Sequence, residues 1–165
     1  MRIYVPVTTR ILRELVDTGE LGPPPLTAFA VTPELREWYT SGDLEELEYA
    51  ALMEAARGSL RLLDEDPTSV PRRGVIAADV AEGDIDVRPD LDRAVVRVTA
   101  AIPMRQIAAL HMDGADAEKS VRAAAAAVLE ADLGSEDAKF LVDEAEGREL
   151  LWFASQEVGT LLDLL

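Results

Sequence analysis

Three stretches of the chain share one order of residues: a short aromatic and aliphatic run, then a serine or threonine, then a helical pattern. They are "YVPVTTRILREL" from residue 4, "FAVTPELREWY" from residue 29 and "WFASQEVGTLL" from residue 152. Runs of β-branched and aromatic residues favour strands, and a hydroxyl residue directly before a helical pattern is typical of a helix N-cap. The repeated order favours a sheet covered by helices over an all-helical bundle.

The same periodicities predict the other elements. Strands are expected at 2–7, 26–31, 73–80 and 93–100, and the last two are expected to pair antiparallel. Helices are expected after Thr8, Thr32, Asp43, Asp116 and Ser135, each of which is a plausible cap. Glu118 and Arg122 are predicted to form an ion pair within one helix.

Two segments allow alternatives. Residues 102–112 fit either one helix or a short helix at 104–108 followed by the strand "ALHMD", and periodicity does not decide between them. The tail from residue 148 fits one helix, or a strand at 150–154 and a helix from Ser155, and the repeated order favours the strand. We predict a single domain over residues 1–165, an α/β or α+β fold with a mixed β-sheet of about five or six strands covered by helices.

Composition narrows the chemistry and the compartment. The chain has no cysteine, which excludes disulfides, thiolate zinc sites and cysteine nucleophiles. No segment resembles a membrane span, and the start of the sequence lacks the features of a signal peptide, so we expect a cytoplasmic protein that does not enter a membrane. Asparagine is absent and arginines outnumber lysines by fourteen to two. That usage indicates a GC-rich bacterial genome.

The charge is strongly negative and unevenly spread. The formal net charge is −16, of which residues 1–66 carry −7, residues 67–114 carry −1 and residues 115–165 carry −8. Such a surface repels phosphate backbones, so we expect no nucleic-acid partner. Acidic helix faces serve solubility, and they also suit a basic protein partner.

Several segments carry a resemblance to a known family. "LTAFAVTPELREWY", "DLEELEYAALMEAAR" and "ELLWFASQEV" resemble characteristic segments of a family of small actinobacterial proteins that form a domain of unknown function. The likeness runs over nearly the whole chain. It implies an actinobacterial origin and a single-domain layout, and it carries over no catalytic residue, cofactor or partner.

His111 is the only histidine, and it lies in the tetrapeptide "HMDG". If "ALHMD" is a strand, alternation places His111 and Asp113 on one face, where the carboxylate would orient the imidazole and raise its pKa. The simpler interpretation is a half-buried strand residue beside a turn made by Asp113 and Gly114. The chain has no phosphate loop, dinucleotide fingerprint, GxSxG elbow or histidine pair, so we expect no cofactor and no metal site.

One location for a ligand follows from the repeated strand–cap–helix order. In a mainly parallel sheet, Thr8, Thr32 and Ser155, with His111 and Asp113, would gather beyond the C-terminal ends of strands, where open α/β sheets bind ligands. Helix N-termini at that edge would favour an anion. Helix capping alone also explains the three hydroxyl residues.

Two adjacent pairs of residues add hypotheses about the surface. Arg72 and Arg73 are the only neighbouring bases, and we expect them to flank a strand in water. The neighbouring aromatics at 38–39 and 152–153 are expected to place one ring of each pair in the core; an exposed pair would mark a contact site.

We therefore expect a non-catalytic acidic interaction or regulatory module whose partner is a basic protein or a second copy. The alternative is a small enzyme, or a protein that binds an anion or small ligand, with a pocket at the C-terminal ends of strands near His111. The alternative requires a concave pocket that holds the imidazole and a second polar group.

Overall fold

The computed structural model describes residues 1–165. Its strands are β1 (Arg2–Val7), β2 (Glu20–Leu21), β3 (Leu26–Ala30), β4 (Gly74–Asp79), β5 (Ile85–Val87), β6 (Val95–Val98), β7 (Ile102–Pro103), β8 (Ile107–Met112) and β9 (Leu151–Ala154). Its α-helices are α1 (Thr9–Thr18), α2 (Pro33–Trp38), α3 (Leu44–Glu65), α4 (Glu118–Asp132), α5 (Glu136–Glu146) and α6 (Val158–Asp163). The class is α+β, as the sequence predicts.

The main sheet has seven strands in the order β5-β6-β3-β1-β4-β8-β9, and β2 and β7 form a separate two-stranded sheet. The main sheet is therefore larger than the five or six strands predicted. Every neighbouring pair is antiparallel, so the sheet is not mixed. The connection from β1 to β3 explains why these two strands are antiparallel. The seven residues after α1 include β2 and the "GPPP" segment. They return the chain to the end where β1 finished, and β3 therefore runs opposite to β1.

The predicted starts of most helices are confirmed. Side-chain oxygens of Thr8, Thr32, Asp43 and Ser135 each accept a hydrogen bond from a backbone N–H in the first turn of the following helix. In the ambiguous regions, a short 3-10 turn precedes strand β8, and strand β9 precedes a turn and α6. Both ambiguous segments therefore contain a strand.

Three local predictions are wrong. β4 does not pair with β6, because β1 and β3 lie between them. Asp116 does not cap α4, because a 3-10 turn at Ala115–Ala117 occupies the position before the helix. The carboxylate of Glu118 pairs with Arg72, 2.9 Å away, rather than with Arg122 on its own helix.

The two faces of the sheet are covered differently. α1 and α6 pack together beneath one face, over a core that includes Val5, Ile76 and Leu110. α3 lies on the opposite face, and α4 and α5 form a helical hairpin that packs against α3 through small alanine-rich surfaces. None of the six α-helices combines the length and the apolarity of a membrane span.

α3 is held close to the centre of the sheet. Gly58 lies directly above the sheet, where an added Cβ would stand 3.2 Å from Pro6 and 3.3 Å from Phe29. The adjacent hydroxyl of Ser59 donates to the carbonyl of Val7 at 2.8 Å and accepts from the N–H of Gly74 at 3.0 Å. These contacts fix α3 over β1 and β4.

One helix cannot cover this face. Seven strands spaced by about 4.8 Å span roughly 29 Å, whereas a helix with its side chains is about 10 Å across. With α3 over the centre, the face of β8 and β9 is left to residues at the end of α5. A depression remains between α3 and the residues at the end of α5.

Candidate functional site

The depression beside α3 forms a groove of about 550 Å³, which we call the α3–β9 groove. One wall is α3, the floor is formed by β8 and β9, and the other wall is the segment that connects α5 to β9. Its lining residues are Tyr49, Leu52, Met53, His111, Glu146, Gly147, Arg148, Glu149, Leu150 and Trp152. Residues from three distant parts of the sequence meet here.

The register of the strands places His111 in the floor. Pro6, Val75, His111 and Trp152 are successive cross-strand neighbours, so they form one row from beneath α3 to the edge of the sheet. His111 is half-buried in this row. Burial lowers the pKa of its imidazole below the usual 6.5, and the positive charge of Arg2 lowers it further. The ring is therefore neutral at pH 7.

Asp113 does not orient His111. Its carboxylate accepts two hydrogen bonds from the side chain of Arg73 and one from the Arg73 backbone N–H, each at 2.8 Å. Neither side chain of the pair has exposed surface. The expected His111–Asp113 coupling is thus replaced by a buried ion pair, and Asp113 is part of the fold rather than of the groove.

Of the two neighbouring bases, both expected in water, Arg73 is buried completely. One Nη atom of Arg73 also donates to the carbonyl of Arg148 at 2.9 Å. Because Arg148 lines the α3–β9 groove, this bond ties the far wall of the groove to the core. Arg72 remains nearer the surface, where it pairs with Glu118.

The hydroxyl residues predicted at the ligand site do not converge. Because the sheet is antiparallel, the C-terminal ends of β1 and β8 lie at one end of the strands, and those of β3 and β9 lie at the other end. Thr8 and Asp113 therefore lie at one end, and Thr32 and Ser155 at the other. Thr8 and Thr32 cap their own helices, and Thr32 also donates to the carbonyl of Arg93. Capping accounts for both, whereas Ser155 lies in a 3-10 turn and caps no α-helix.

β9 forms an edge of the main sheet, with β8 as its only neighbour. Trp152 points to the α3 side and is 62% exposed, while Leu151 is 50% exposed. On the opposite face, Phe153 lines a second depression of about 320 Å³, which we call the α6 groove, with Gln156, Glu157, Thr160, Leu161 and Leu164. The free edge of β9 therefore has an open groove on each face.

The charged residues that line the α3–β9 groove are Glu146, Arg148 and Glu149. Between residues 43 and 54 the chain has five carboxylates and no base, but these carboxylates lie outside this lining, and Glu54 lines a separate depression with Trp38 and Arg93. Tyr49, in the same stretch, is 60% exposed beside the groove. Glu146 is paired with Arg57, but Glu149 makes no ion pair. The groove thus combines exposed aromatic rings with an unpaired carboxylate.

Sequence reasoning missed the α3 wall. Tyr49 and Leu52 stand three residues apart, a spacing typical of a helix face that packs in a core, yet Tyr49 is exposed because the sheet beneath it is covered only at its centre. Of the two aromatic pairs, the one at 152–153 has Trp152 exposed while Phe153 packs against the core, as predicted. The prediction is wrong at 38–39, where Trp38 and Tyr39 are both exposed, at 60% and 42%. No group of three or more His, Asp and Glu side chains stands together as metal ligands.

A model for a family of unknown function, DUF6912, matches residues 1–162 of the chain. No curated protein and no solved structure matches the chain.

Proposed function

The chain belongs to DUF6912, a family of unknown function, and from that premise we propose that it is a non-catalytic, acidic interaction module that binds a basic partner protein in the α3–β9 groove. We place it in the cytoplasm of an actinobacterium. The observation that carries the proposal is the exposure of Tyr49 and Trp152, at 60% and 62%, in the wall and in the floor of one groove. Large exposed apolar side chains around a concavity mark interaction sites.

The charge supports a basic partner. A net charge of −16 attracts cationic surfaces during encounter, and Glu149 adds a carboxylate without an ion pair in the lining of the groove. Cationic side chains also bind aromatic faces, which is the chemistry that Arg93 displays within this chain, where its guanidinium lies 3.5 Å from the ring centre of Trp38. Tyr49 and Trp152 offer the same surface to a partner.

A labelled decaarginine peptide tests this proposal by fluorescence anisotropy. Trp152→Ser and Glu149→Gln each remove one contact from the groove, and each is expected to weaken binding about 2- to 5-fold, the range for an exposed cation–π or ion-pair contact. Glu136→Gln is the matched control, because it removes one exposed charge at the far end of α5. Equal losses in all three variants would show that the peptide follows net charge alone, and the proposal would fail.

A second candidate is favoured by the size of the groove. A volume of about 550 Å³ lies within the range of small-molecule sites, and the groove contains the neutral imidazole of His111 beside Glu146 and Arg148. This is the small enzyme or anion- or small-ligand-binding protein that the sequence suggests as an alternative. Since His111 is the only histidine, its ring signals in NMR report directly on the groove. A fragment screen that leaves those signals unmoved would exclude this candidate.

A further inference from the structure

We propose that the partner enters as an extended strand that adds to the free edge of β9. Its side chains would alternate, with cationic residues in the α3–β9 groove and aliphatic residues in the α6 groove. This inference rests on the proposed function and specifies how the basic partner is held.

The edge strand β9 is short, at four residues, but its sequence does not block the addition of another strand. Natural proteins guard exposed sheet edges with charges, prolines, bulges or covering elements. At the opposite edge, β5 carries Asp86 and is followed closely by Pro89. The sequence of β9 is "LWFA", which has neither a charge nor a proline. In an antiparallel pair, alternate residues direct their N–H and C=O groups away from the partner, so β9 presents free backbone groups along its outer side.

The two grooves explain why the partner sequence would alternate. Successive residues of an added strand point to opposite faces of the sheet. One set would meet Tyr49, Trp152 and the unpaired Glu149, and the other would meet Phe153, Leu161 and Leu164. The first surface is aromatic and has a carboxylate without an ion pair, while its base, Arg148, is paired with Asp116. The second has its apolar residues beside Gln156, Glu157 and Thr160. An Arg-Val or Lys-Leu alternation fits both, and a block of basic residues does not.

Two capped octapeptides of identical composition test the inference against the unmodified protein: alternating (Arg-Val)4 and the block peptide Arg4Val4. We expect the alternating peptide to bind at least 5-fold more tightly, and we expect hydrogen exchange of the outward β9 amides to slow only in its presence. Equal affinity of the two peptides, without protection of residues 151–154, would overturn strand addition.

N-methylation of the peptide backbone gives a second measurement. An added strand directs only alternate N–H groups at β9, so methylation of either all arginines or all valines should abolish binding, while the other set is tolerated. If both methylated peptides bind, or neither does, the strand model is wrong.

The two proposals fail differently. If the peptides bind equally and Trp152→Ser weakens both, the groove still takes a basic partner and only the strand mode falls. If neither peptide binds more tightly than alternating (Glu-Val)4, the basic partner and the strand mode both fall.

Discussion

Arg73 and Asp113 form an ion pair in which neither side chain has exposed surface. We expect Asp113→Ala to destabilise the fold by about 3–5 kcal/mol, because it leaves a buried guanidinium without its counter-charge. Asp79→Ala is the control: its partner Arg2 and Asp79 are 41% and 59% exposed, and the expected loss is below about 1 kcal/mol. Urea unfolding measures the free energy of unfolding of both variants. Similar losses would contradict the assignment of Arg73 and Asp113 as a buried ion pair.

His111 gives the fold a pH dependence with a definite sign. Its pKa is lowered by burial and then by Arg2, so the native state holds the neutral imidazole where the unfolded chain binds a proton. Stability is therefore complete above the unfolded value of 6.5 and falls as the pH drops below it. In urea unfolding between pH 7.5 and 5.5, His111→Gln should show a flatter slope than the wild type. Parallel slopes would refute this prediction.

The carboxylates with shifted pKa values act differently from one another. Burial raises the pKa of Glu54, so stability from this group rises as the pH drops. Because Glu54 is present in both proteins, the difference in slope between wild type and His111→Gln still reports the histidine. Asp79 and Asp132 have lowered pKa values because arginine side chains donate hydrogen bonds to them. They lose their stabilising charge only below about pH 4, the ordinary range for aspartate.

For single residues, the sequence predicts helix caps well and the partners of buried charged side chains poorly. Thr8, Thr32 and Ser135 were identifiable as caps because a cap and its helix are adjacent in the chain. The partner of Asp113 was not, since Arg73 lies forty residues away and only the β4–β8 register brings the two together. The sequence does not predict the burial of Arg73 either, because its neighbour Arg72 is also an arginine and nothing local distinguishes the two.

Among the elements, α3 depends most on a small residue. Gly58→Val should destabilise the protein by about 1–3 kcal/mol, because the new side chain would push α3 away from Pro6 and Phe29. Gly159→Ala in α6 is the control, since its Cβ would meet nothing within 4 Å and it should gain up to about 1 kcal/mol of helix propensity. Thermal unfolding compares them, and a stabilised Gly58→Val would show that α3 is not pressed onto the sheet.

Element identity follows from local pattern, whereas element direction does not. The strand–cap–helix order predicts β1, β3 and β9 correctly, because hydroxyl caps and β-branched runs are short-range features. The same order suggests parallel strands, but the extended segment after α1 reverses that outcome. The expected meeting of Thr8 with Thr32 failed for this reason, and the α3–β9 groove instead joins residues 49, 111 and 152.

For the whole molecule, self-repulsion opposes the compact state. The net charge of −16 should make the melting temperature rise with added NaCl, because salt screens repulsion between the acidic flanks. A gain of about 1 kcal/mol corresponds to roughly 2–4 °C for a chain of this size. Calorimetry at pH 7 between about 20 and 300 mM NaCl measures the shift, which should shrink near the isoelectric point of about 4.3. A falling melting temperature would mean that exposed ion pairs outweigh the repulsion.

The order of strands in the sheet also bears on how the chain folds as it is made. β1 lies in the middle of the sheet, and on one side of it β4, β8 and β9 follow outward in the order of their synthesis. On the other side β3 and then β6 join, with only the short β5 out of sequence. A growing chain can therefore build the sheet from its centre, each new strand pairing with one that has already left the ribosome. Within the seven-stranded sheet, no strand has to wait for a neighbour that is translated much later, except β5, which waits only for β6. The small β2–β7 sheet differs, because β2 pairs with a strand that is translated much later.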